Sequence, residues 1–136
     1  MTTTASLTHH SYGIRKDTAL SFEDALARTR TALQAQGFGV LTEIDVTATL
    51  KAKLGVAMDQ YIILGACNPP LAHRAIQAQP EVGLLLPCNV VVREAGDGTV
   101  VEAIDPESAM GLVNDAAVHA VALEAKQRLI QALEAI

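Results

Sequence analysis

The sequence predicts an α+β two-layer sandwich, a mainly antiparallel sheet with helices on one face. Strand-like and helix-like periodicities alternate along the chain. Each longer helical stretch carries one apolar stripe, which suits it to cover one side of a sheet. The last three strands fit an antiparallel arrangement, with an Asp97-Gly98 hairpin signal between the final two. A doubly wound parallel sheet is the alternative, since strands and helices alternate early. Against it, no Gly-rich phosphate loop follows the first strand.

Residues 1–10 are Thr-rich and aperiodic, and are expected to form a flexible tail before a single domain over residues 11–136. Ser11 to Lys16 reads as the first strand, with Tyr12 and Ile14 on one face. Ser21 then caps a helix whose first turn holds Glu23 and Asp24, suited to the positive end of the dipole. Its stripe is Phe22, Ala25, Leu26, Thr29 and Leu33, and Gly37 ends it. Phe38 to Ile44 is the second strand, with Phe38, Val40, Thr42 and Ile44 on one face and Gly39, Leu41 and Glu43 on the other. Asp45 caps a short helix from Val46 to Leu54, with Lys51 and Lys53 near its C-terminal end and Gly55 closing it.

Tyr61 to Ala66 is the third strand. Asn68 caps the next helix, with Pro69 and Pro70 where a missing N–H costs nothing, and Leu71, Ala72, Ala75 and Ile76 as its stripe. Pro80 stops it. Leu84 to Leu86 is apolar throughout and is expected to be buried. Cys88 to Glu94 and Thr99 to Ile104 form a hairpin. Asp105-Pro106-Glu107-Ser108 starts a helical turn reaching Met110 and Leu112. Asn114 is expected to cap a long last helix from Asp115 to about Glu134, with Val118, Val121, Ala122, Ala125, Leu129 and Leu133 as its stripe.

Composition excludes several function classes. Net charge is -5 and the ten Lys and Arg are scattered, so no cationic track for a phosphate backbone exists and nucleic acid is not expected as a partner. With no Trp, two Tyr and two Phe, a base-stacking platform is hard to build. No apolar run approaches the roughly 18 to 20 residues that span a bilayer. The first residues lack the basic start and apolar stretch of a secretory signal, so a cytoplasmic location with reduced thiols is expected. Strands carry apolar residues on both faces, Ile62 and Leu64 against Ile63, and Val91 against Val90 and Val92. Helices on one face would leave the other bare, so a homodimer is expected to cover it.

The stretches FGVLTEIDVTATLKAKLG, YIILGACNPPLAHRAIQAQPEVGLLLPCNVVV and GTVVEAIDP, with both cysteines in place, resemble the bacterial and archaeal family called domain of unknown function 302. The likeness runs from about Tyr12 onward and leaves the tail outside. It implies a compact α+β domain, at its simplest strand-helix-four strands-helix, here with two helical insertions. It implies small proteins, and dimers similar to the one inferred. About function it implies little.

The chemistry, if any, is expected at Cys67 and Cys88. Both are followed by Asn, Asn68 and Asn89, and both lie near Pro. Antiparallel pairing of their strands would bring them together at one end of the sheet. Glu43 and Asp105 also lie at strand ends, at an end the sequence does not fix. Three readings compete for the thiols. They are small buried apolar residues in a crevice that binds a small ligand near Cys67, Asn68, Cys88 and Asn89. Or Cys67, placed before a helix N-terminus, is a nucleophile for redox or sulfur-transfer work, with Cys88 resolving. Or both thiols hold a soft metal or cofactor with Met110, His73 or His119, although no CxxC or HxxxH spacing completes a site. The first is preferred, with no metal and no named cofactor. His9 and His10 read as solvated tail residues, His119 as a core-edge residue, His73 as a solvated helix residue and Met58 as packing. Glu43 and Asp45 share a face, but Asp45 is better explained as a cap. No serine elbow, GxGxxG or P-loop is present.

Overall fold

The computed structural model describes residues 7–136. The elements are β1 (Thr8–His9), β2 (Gly13–Thr18), α1 (Phe22–Ala35), β3 (Gly39–Asp45), α2 (Val46–Leu54), β4 (Tyr61–Cys67), α3 (Pro69–Ala78), a 3-10 turn (Pro80–Leu85), β5 (Cys88–Ala95), β6 (Gly98–Ile104), α4 (Pro106–Met110) and α5 (Ala116–Glu134). The six strands make one sheet in the order β1-β2-β6-β5-β4-β3, antiparallel at every pairing. The α+β sandwich is therefore the observed fold. Within its four consecutive strands β3 to β6 the inserted helical segments are α2, and α3 with its 3-10 continuation.

Local chemistry sets most element ends. The Ser21 hydroxyl accepts from Asp24 N–H, and Gly37 takes φ +83° after α1. Asp45 accepts from Ala48 N–H at the start of α2, and Gly55 takes φ +69° at its end. The cap of α5 is Asp115 rather than Asn114: its carboxylate accepts from Ala117 and Val118 N–H. Those bonds hold the Asp115 carboxyl below the usual carboxylate range, Val118 N–H first.

One face of the sheet and the helices α1 and α5 enclose the larger core, with Ile14, Leu33, Leu64, Val90, Val92, Val101, Leu129 and Leu133 all fully buried. A second core lies beyond the Cys67 end. There α3, the 3-10 turn and α4 pack on the first half of α5 through Leu71, Ala75, Val82, Met110, Val118, Val121, Ala122 and Ala125. A single helix thus serves both cores, its first turns facing one and its last turns the other.

Several expectations are corrected. The first full strand starts at Gly13, not Ser11, and Tyr12 is 67% exposed while Ile14 is buried. Thr8 and His9, expected in the tail, pair with Arg15 and Ile14; residues 1–6 of that tail lie outside the described residues. In β3, Val40 pairs with Ala66 but Thr42 pairs with Gly65, so Leu41 is an extra residue and the faces exchange there. Glu43 now lies on the helix side, where Arg30 of α1 binds it at 2.8 Å, and Thr42 and Ile44 turn outward. Leu84 is 88% exposed, because the 3-10 turn buries Val82 instead. In α3 the buried stripe is Leu71 and Ala75, and Ile76 is exposed. Lys16 faces the core, where its Nζ donates to the carbonyls of Glu134 and Ile136 at 3.2 and 3.1 Å and so caps the end of α5.

Candidate functional site

Pairing of β4 with β5 sets Ala66 opposite Cys88, and pairing with β3 sets Gly39 opposite Cys67. Both thiols therefore lie at one end of the sheet. Asp105 reaches the same end, since β6 runs out beside the start of β5; its carboxylate caps α4 and binds Lys126 at 3.0 Å. Glu43 sits farther along β3, opposite Leu64, and takes no part.

At this end lies a cavity of about 250 Å³. It occupies the seam between the two cores. Phe38, Ala66 and Cys88 come from the sheet side; Leu71, Met110 and Ala122 come from the second core. Its wall is almost wholly apolar. Asn68 is the one polar side chain of another type than thiol in it, and its amide is already used: Oδ1 accepts from Leu71 N–H at 3.3 Å and Nδ2 donates to the Gln36 carbonyl at 3.4 Å.

Of the four residues the sequence singled out, Cys67, Asn68 and Cys88 line this cavity. Asn89 does not. Successive strand residues point to opposite faces, so Cys88 turns in and Asn89 turns out to the bare side of the sheet. Met110 shares the cavity with the thiols; His73 and His119 are exposed and outside it. Among the described residues no group of three or more His, Cys, Asp or Glu is placed to hold a metal.

The two cysteines are free, Cys67 half-buried and Cys88 buried. Burial pushes the Cys88 thiol up to about 11, with the neighbouring Cys67 adding to it. At neutral pH Cys88 is protonated and a poor attacking sulfur. The helix start beside Cys67 offers it no donor. Pro69 and Pro70 have no N–H, and the N–H of Leu71 is taken by Asn68. The Cys-Asn-Pro-Pro sequence thus caps α3 completely and leaves no amide directed at a sulfur.

The family profile described as domain of unknown function DUF302 matches residues 14–136. Three solved chains match the fold. One is the crystal structure of an uncharacterized conserved DUF302 protein from Bacillus stearothermophilus. It is 29% identical with a TM-score of 0.84, covering 91% of this chain and 98% of that one. No curated protein matches. No helix among the described residues is long and apolar enough to cross a membrane.

Proposed function

The chain belongs to the DUF302 family, and from that premise we propose that it is a small-ligand-binding domain whose site is the cavity beside Cys67 and Cys88. The carrying observation is the unfilled apolar space of about 250 Å³ between two otherwise packed cores. The space is partly open to the surface, as small-molecule clefts lined mostly by apolar side chains are. The wall chemistry selects an uncharged, largely apolar ligand. The Asn68 amide is spent on the Leu71 N–H and the Gln36 carbonyl, and an ion placed there would lose its hydration without a partner.

This reading is preferred to thiol chemistry because Cys67 faces no free amide and Cys88 stays protonated. It is preferred to soft-metal binding because Met110 is the one further sulfur in the wall, too few donors for a closed site. The same reading includes a homodimer, supported by exposed Leu41, Ile44, Leu54, Val56 and Met58 along the open strand β3 and the segment after it.

The test uses n-butylbenzene as an apolar probe. Ala72 of α3 is half-buried in the wall, so Ala72→Leu narrows the space with a good helix former. The native chain should bind the probe saturably and gain thermal stability, and the variant should bind about tenfold or more weakly while keeping its fold. Equal binding by both chains, or none by either, overturns the proposal.

A further inference from the structure

The bare face of the sheet carries a second depression, of about 260 Å³, which the cavity at the seam does not explain. His10, Tyr12, Tyr61, Asn89, Val91 and Glu102 border it. Both tyrosines of the chain are here. They come from distant places, one from the segment before β2 and one from the start of β4.

The side chains are held in place. His10 Nε2 lies 3.2 Å from Glu102 Oε2, and its ring meets Tyr12 edge-on with centroids 4.6 Å apart. The ring rests over Gly13, where an added Cβ would come within 2.5 Å of it, so only glycine admits this seat. Glu102 is braced from its other side: Oε1 accepts from Arg93 Nε at 3.2 Å and Nη2 at 2.9 Å. Arg15, cross-strand from Glu102, is bound to Asp17 at 2.8 Å. Asn89 is exposed, with neither amide atom bonded to another described residue.

We infer that this depression is a binding site for a small aromatic molecule, not anionic, carrying an O–H or N–H donor, such as a phenol or an N–H heterocycle. Three features select that class. The rings of Tyr12, Tyr61 and His10 offer edges and faces to another ring. The Glu102 carboxylate accepts hydrogen bonds and donates none, and of its roughly four lone-pair sites its partners leave one, on Oε2. Charges nearby pair off, Glu102 with Arg93 and Asp17 with Arg15. Glu102 is the one acid on the border and neither guanidinium lines it, so an anionic ligand would meet the carboxylate. The pairing of Arg93 and His10 with Glu102 works against desolvation and keeps that carboxyl below its ordinary range, so it accepts across the neutral range.

The experiment is a titration of the full 15N-labelled chain, followed by backbone amide shifts, with phenol, toluene, benzoate and benzylamine as probes. Phenol should move the amides of Tyr61, Asn89, Val91 and Glu102 saturably. Toluene and benzoate should act there about tenfold more weakly, the size expected for one lost bond to a charged acceptor, whereas benzylammonium, which keeps a donor, should act at least as strongly as phenol. Glu102→Gln should weaken phenol to the level of toluene. Should that variant fail to fold, Tyr12→Leu, at an exposed position, should still weaken phenol severalfold. Equal shifts by phenol and toluene, no saturable shift at millimolar phenol, or shifts confined to Ala72 and Ala122 at the seam would each overturn the inference.

Discussion

Cys88 shows how one buried thiol ties stability to pH. Its folded value of about 11 lies above the ordinary 9.0 because burial penalises the thiolate. The folded chain keeps a proton that the unfolded chain releases, so the contribution to stability is full below about pH 9 and is lost as pH rises through about 11. The loss should be on the order of 2 to 3 kcal/mol. Lys16 acts oppositely in part of this range: burial lowers its pKa, so the penalty on its ammonium lifts as pH rises. Comparing the native chain with Cys88→Ala cancels the lysine. Urea unfolding at pH 8 and 10.5 should show a steeper loss for the native chain, and equal losses would remove Cys88 as the cause. At this scale the sequence was most legible where chemistry is local. Ser21, Asp45 and Asn68 are caps because each reaches an amide three residues on. Asn89 could have been assigned to the other face from strand alternation alone, and the silence of the Pro69-Pro70 amides was also readable.

Among the elements, α5 divides its work by turn. Leu129 is fully buried against the sheet, whereas Leu123 is 44% exposed on the same helix. Leu129→Ala should cost about 2 to 5 kcal/mol, and Leu123→Ala should stay near 0.5 kcal/mol. Chemical denaturation checks both, and similar losses would mean that the helix does not sit as described. The stripe of this helix was legible because helical spacing is local, and each of its six expected residues is buried. The bulge at Leu41 was not legible, since it is set by how β3 registers on β4. Leu84 misled for a related reason. Three leucines in a row suggest burial, but a 3-10 turn places successive residues on different sides, and Val82 takes the inward one.

For the whole molecule the open question of surface is association. The bare sheet face, expected to need cover, is mixed rather than apolar, with Arg15, Arg93 and Glu102 among Ile63, Val91 and Ile104. The exposed apolar residues concentrate instead at positions 41 to 58, beside β3, which is an edge strand among the described residues. A second copy paired there should be lost on Leu41→Glu with Ile44→Lys, read by sedimentation as a change from dimer to monomer. A native chain that sediments as a monomer at micromolar concentration would exclude the pairing. The antiparallel sheet with helices on one side was legible from the order of periods. The cavity was not, because a void is defined by what distant side chains fail to fill, and no local pattern records that.

The sharing of α5 by two cores has a dynamic consequence. Helices α3 and α4 and the 3-10 turn pack on α5 and meet the sheet mainly across the seam, so they are built to open as a separate cooperative unit, exchanging their amide hydrogens without global unfolding. A molecule lodged in the seam would fasten the two units together, and occupancy would be read out as slowed exchange throughout α3 and α4, including residues that do not line the seam.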